Sequence, residues 1–192
     1  MSAGKDHASK VNFHPERPIV MIGAMAVGKS VIGAELARML GLEFIDTDQR
    51  IVAKHGPIPR LFIARGEHYF RQLEARAVAS VLDVAKPKTV VLSLGGGAVL
   101  DSGTQQLLAG ATVVHLRATV DAIRERIERT TGRPLLAVDP VEAWTRLATA
   151  RAPVYARLAD ITIDVDNSSV PDVVTRLIDI LAEESKKENT AP

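Results

Sequence analysis

The sequence predicts an α/β fold, a five-stranded parallel sheet with helices on both faces. Three observations carry this. Short apolar runs alternate with longer segments of helical periodicity along the chain. The run at 89–94 (Thr-Val-Val-Leu-Ser-Leu) is too continuously apolar for a strand with one wet face. A glycine-rich loop at 23–30 joins the first strand to the first helix, as in units that build parallel sheets.

The elements follow in order. Residues 18–22 are the first strand. Residues 31–40 are a helix, with Ile32, Leu36, Met39 and Leu40 at helical spacing, and Gly41 stops it. Residues 43–45 are a second strand, and 49–54 a helix ending at Gly56. Pro57 and Pro59 punctuate the next stretch; 60–64 form a short helix. Residues 67–85 form a long helix with Phe70, Leu73, Ala77, Val81 and Val84 on one face. Strands at 89–94 and 112–116 are each followed by a helix, at 101–109 and 120–129. The helix predicted at 140–158 is expected to bend or break before Pro153, which lacks an N–H and crowds the preceding turn. A last strand (161–165) and helix (170–182) close the domain. The expected organisation is one domain over 18–182, between a flexible N-terminal tail (1–17) and a flexible C-terminal tail (183–192) that is charged and breaker-rich.

Composition narrows the function classes. The 192 residues are 46% apolar and 24% charged, as in ordinary globular domains. A net charge of +1 gives no sign of a bulk nucleic-acid or membrane-surface binder. There is no cysteine, which excludes disulfides and thiolate chemistry and fits a reducing compartment. The polar first 17 residues do not read as a secretory signal, and no apolar run approaches the ~20 residues of a membrane span. These readings give a cytoplasmic protein, with no nucleic-acid or membrane partner and monomeric. The five histidines show no ligand spacing, and Trp144 reads as a packing residue.

Four motifs carry chemistry, and they fall after strands, where parallel sheets bind ligands. The first, Gly23-Ala24-Met25-Ala26-Val27-Gly28-Lys29-Ser30, is a P-loop with the flanks it needs. Its N–H groups, with Val31 in the first helical turn, would cradle phosphates at the positive end of a helix dipole. Lys29 can reach the β- and γ-phosphates, and the Ser30 hydroxyl can take a Mg²⁺ position. The second is Asp46-Thr47-Asp48. One carboxylate could hold Mg²⁺ and the other accept a proton from the hydroxyl being phosphorylated. The competing reading is a helix N-cap, which the neighbouring P-loop outweighs. The third, Gly95-Gly96-Gly97, either lets the backbone approach a ligand or is a flexible turn. The strand before it offers only Ser93 for a metal, which makes Asp46 the better candidate. The fourth is a set of arginines, Arg71, Arg133 and Arg151. Each alone reads as a surface charge, yet guanidinium groups would suit an anionic substrate.

Taken in order, GxxxxGKS, DTD, FRxxE, SLGGGA, GRPLL and RAPxY resemble the shikimate kinase family across about residues 18–180. The resemblance implies a P-loop NTPase fold of the nucleoside-monophosphate-kinase type. It implies ATP and Mg²⁺ as cofactors and transfer of a phosphoryl group to the 3-hydroxyl of shikimate. It makes Lys29 and Ser30 the phosphate lysine and Mg²⁺ hydroxyl, Asp46 the metal-associated carboxylate, and Asp48 the group at the reacting hydroxyl. Arg71 and Arg151 would grip the substrate carboxylate beside Gly96 and Gly97. Arg133 would close a lid over 130–139, and the substrate region would span about 47–75, including Phe62, Glu67, Phe70 and Glu74. Either Arg126 or Arg129 would stack on the adenine.

The chain departs from the family pattern at Ala26, where glycine is usual, and at Val27, where a smaller residue is usual. Val52 stands at a position usually acidic, and Pro57 and Pro59 bracket Ile58. These departures keep two other readings open: a related P-loop kinase for gluconate or a cyclitol, and a nucleotide-binding module without transfer.

Overall fold

The computed structural model describes residues 13–83, 85, 88–129 and 139–188. Five strands form one parallel sheet in the order β2-β3-β1-β4-β5. They are β1 (Ile19–Ile22), β2 (Glu43–Asp46), β3 (Val90–Ser93), β4 (Thr112–Arg117) and β5 (Ile161–Asp164). β1 lies in the centre, with Ile19 paired to Val91 on one side and to Thr112 on the other. All four of its residues are fully buried. The two-residue repeat of a strand splits them between two cores. Ile19 and Met21 pack with Leu36, Val114, Ile127 and Leu177 on one face. Val20 and Ile22 pack with Val78, Leu92, Leu108 and Tyr155 on the other.

Among the described residues seven α-helices cover the sheet: α1 (Lys29–Leu40), α2 (Thr47–His55), α3 (Ile58–Val81), α4 (Ser102–Leu108), α5 (Val120–Glu128), α6 (Pro140–Leu158) and α7 (Val170–Glu188). α1 stops where expected. Gly41 takes the left-handed conformation (φ 66°), and the Leu42 N–H returns to the Ala37 carbonyl at 2.9 Å. α3 is two helical stretches broken at Gly66 (φ 78°, ψ 171°), so the separation between 60–64 and 67 is real. The first stretch starts at Ile58 because Pro57 and Pro59 fit the start of a helix rather than merely interrupting the chain. A third small cluster of Ile51, Phe70 and Leu73, backed by Ile58 and Phe62, joins α2 to α3 beside the sheet.

Five expectations need correction. α6 runs unbroken through Pro153. Both Pro153 and Thr149, whose carbonyl loses its helical donor, face solvent, so water can satisfy that carbonyl. The long helix ends at Val81 rather than near 85, with Leu82 as its C-cap. The segment expected to be a loose N-terminal tail contributes Phe13 to the core, 8% exposed, and α7 continues past residue 182 to Glu188. A 3₁₀ turn at Ala98–Leu100 precedes α4, so Asp101 is its cap, accepting from the Thr104 N–H at 2.7 Å, rather than its first residue.

Thr47 fastens β2 to the end of β3. Its fully buried hydroxyl donates to the Ser93 carbonyl (3.2 Å) and accepts from the Gly95 N–H (3.1 Å). Thr47→Val keeps the shape and strands both partners. The variant is expected to lose about 1–3 kcal/mol of stability in urea unfolding.

Candidate active site

The P-loop, DTD and triple-glycine motifs meet at the carboxyl edge of the sheet, where β1, β2 and β3 end. Two adjoining cavities open there. The first, of about 430 Å³, is lined by Ala26, Val27, Gly28, Lys29, Ser30 and Val31, and by Asp46 across the cleft. The second, of about 580 Å³, is lined by Gly95, Gly96, Gly97, Arg71, Glu74 and Arg151, with an apolar wall from α2 and α3. Asp48 borders both, as do Met25, Gly95 and Gly96.

The P-loop ends at Gly28, left-handed at φ 99°, and Lys29 opens α1. The Lys29 ammonium donates to the carbonyls of Gly23 (2.9 Å) and Ala24 (2.7 Å). Gly23 itself sits behind the loop, where a Cβ would collide with the Leu116 carbonyl. Ala26 is held at φ 65°, a conformation that costs an ordinary residue about 1–2 kcal/mol. The departure from glycine seen in the sequence therefore falls where glycine is favoured. Trp144 is more than packing: its indole N–H donates to the Met25 carbonyl at 2.7 Å.

Asp46 caps α2 and also faces the P-loop. One oxygen caps α2, accepting from the Gln49 N–H at 3.1 Å, and the other accepts from the Ser30 hydroxyl at 2.5 Å. A hydroxyl and a carboxylate oxygen converging in this way suit Mg²⁺, which takes few protein oxygens and keeps water and phosphate oxygens for its other positions. Among the described residues no group of three or more histidines or carboxylates forms a metal cage.

The second cavity is charged at its floor. Arg71 pairs with Glu74, and with Glu67 at 2.9 Å. Glu74 is 1% exposed; Arg151 is also buried. Burial pushes the Glu74 carboxyl up to about 7; Arg71 holds it down, Asp48 raises it further, and Arg151 again opposes the rise. Burial works against the Arg71 charge, but Glu74 and Glu67 keep its pKa above the usual arginine value. Two of the three glycines leave space: a Cβ on Gly95 would strike Glu74 and come within 2.8 Å of Asp48, and one on Gly97 would strike the Arg71 guanidinium. Tyr155 holds the turn from behind, donating from its hydroxyl to the Gly96 carbonyl at 2.5 Å, and His115 stacks on the Tyr155 ring.

Arg126 lines the first cavity and Arg129 does not. Arg133 and the 130–138 stretch lie outside the described residues. Glu74, the last residue of the FRxxE motif, sits three residues after Arg71 on one helical face. The site also contains groups the motifs did not single out. Ser168 and Val170, just beyond β5, line the nucleotide side, where the strand-end rule would have placed them.

A family model for shikimate kinase matches residues 25–182. A shikimate kinase of Stenotrophomonas maltophilia is 40% identical over 183 residues, covering 94% of this chain and 100% of that one. One of Streptomyces avermitilis is 40% identical over 164 residues, covering 85% and 94%. The solved structure of an Acinetobacter baumannii shikimate kinase in complex with shikimate superposes with a TM-score of 0.82 at 31% identity, covering 88% of this chain and 95% of that one.

The raised Glu74 carboxyl has a consequence for stability. A carboxyl whose pKa rises on folding binds its proton more tightly in the folded chain, so stability falls as pH climbs from about 4.5 to about 7. Glu74→Gln removes that titration. Its melting temperature relative to the unmodified protein is expected to rise across this window and level off above it. Paired thermal melts at about pH 5 and about pH 8 check the sign.

Proposed function

The chain belongs to the shikimate kinase family, and we propose that it transfers the γ-phosphoryl group of ATP to the 3-hydroxyl of shikimate using the residues of these two cavities. The observation that carries this reading is the position of Asp48, a carboxylate bordering both the P-loop cavity and the arginine-floored one. A hydroxyl held in the second cavity then faces a phosphoryl group held in the first. Asp48 accepts the hydroxyl proton, or orients the hydroxyl, as its oxygen bonds to the γ-phosphorus and the bond to the ADP oxygen breaks. Lys29 and the loop N–H groups hold the phosphates, and Arg126 flanks the adenine. Ser30 and Asp46 would hold Mg²⁺, which when bound neutralises charge on the phosphate oxygens. Arg71 and Arg151 bind the acceptor carboxylate, while Gly96 and Gly97 let its ring approach the backbone. Arg133 would close over the phosphates from the 130–139 stretch and exclude water. The enzyme is read as a cytoplasmic monomer with a small-molecule acceptor.

A coupled ADP-release assay with ATP, Mg²⁺ and shikimate tests the assignment. Asp48→Asn is expected to lower kcat by about 10²- to 10⁴-fold with ADP binding retained. Near-normal turnover in that variant refutes the role given to Asp48. Arg151→Lys keeps the charge and loses the fork. It is expected to raise KM for shikimate by about tenfold or more while moving KM for ATP little. Gluconate in place of shikimate is expected to give no turnover.

A further inference from the structure

We propose that Trp144 is a positioning residue of the nucleotide loop, its indole N–H holding the loop apex in a conformation that Ala26 on its own disfavours. This rests on the reading of residues 23–30 as the nucleotide loop. The Met25 carbonyl and the Ala26 nitrogen belong to one rigid peptide plane. The φ angle of Ala26 is the rotation between that plane and the rest of the residue, so pinning the Met25 oxygen restrains it. The pin is the 2.7 Å bond from Trp144, whose ring is 6% exposed within the core against which Ala24, Met25 and Ala26 pack. Among the described residues only Ala26 and Asn167 have positive φ without being glycine. Asparagine tolerates that region through its short polar side chain, and alanine has no such help.

The pin also sets a donor. No described peptide bond is cis, and in a trans peptide the carbonyl and the N–H point opposite ways. A Met25 carbonyl turned towards Trp144 sends the Ala26 N–H away from α6, and Ala26 lines the cavity read as the phosphate site. Trp144 therefore acts on nucleotide affinity through the loop, without touching nucleotide. A leucine or phenylalanine could fill the same core space but could not donate this bond.

The test is Trp144→Phe, which keeps an aromatic body and removes the donor. Calorimetric titration with ADP and steady-state kinetics are measured together, with thermal melts to establish folding. The dissociation constant for ADP and KM for ATP are expected to rise about three- to tenfold, the loss of one buried hydrogen bond, while KM for shikimate stays within about twofold. Adding Ala26→Gly to that variant is expected to restore ADP affinity, because glycine takes the left-handed conformation unaided. Unchanged ADP affinity, an equal rise in both KM values, or no rescue by A26G each overturns the proposal. If Trp144→Phe does not fold, A26G alone decides. It is expected to raise the melting temperature by about 2–4 °C, and no rise overturns the proposal. If ADP fails to bind the unmodified protein, the reading of the loop falls, and the proposal with it.

Discussion

The bare backbone of the turn after β3 is the constraint on which the rest of the acceptor cavity depends. Gly95 and Gly97 carry no side chains, so Glu74, Asp48 and Arg71 can lie directly against the main chain. The turn is immobilised by its neighbours instead. Thr47 accepts a hydrogen bond from the Gly95 N–H on the β2 side, and the Tyr155 hydroxyl donates one to the Gly96 carbonyl from α6. Both anchors are buried, where an unmade hydrogen bond is costly. The parallel sheet brings this turn beside the P-loop, since β1 and β3 are neighbours and run the same way.

Electrostatics follows from that close packing. Withdrawing ions from water costs several kcal/mol each unless they are paired, and the cavity floor holds Arg71, Glu74 and Arg151 together. Arg71 is shared between two carboxylates, and Glu74, the more deeply buried of them, has its pKa raised to about 7. An anion arriving beside Arg71 and Arg151 competes with Glu74 for the same positive charge. On the proposed function, Arg71 and Arg151 would offer an acceptor carboxylate the positive charge that Glu74 now shares.

Much of this was readable from the chain because the relevant physics is local. Gly41 and Gly66 end helical stretches where a side chain would be strained, and each break falls where the pattern put it. The P-loop and the two motifs after β2 and β3 reach one rim because strand ends in a parallel sheet share a direction. What escaped the sequence depends on distant partners. Pro153 breaks a helix only if the freed carbonyl goes unsatisfied, and here it belongs to Thr149, an exposed residue where water can replace the lost donor. Phe13 looks like part of a polar tail until the core that receives it is known. Asp46 was weighed as a metal ligand against a helix cap, but a carboxylate has two oxygens and can meet both demands. Trp144 lies 119 residues from the carbonyl it bonds, beyond any spacing rule.

The chain has one tryptophan, and it is bonded to the apex of the P-loop. Indole emission responds to the field and hydration around the ring, and here no second indole dilutes that response. The protein's own fluorescence is therefore an optical probe of a single loop, in place without a label, and the absence of cysteine leaves the remaining surface free for thiol-attached dyes at any chosen position.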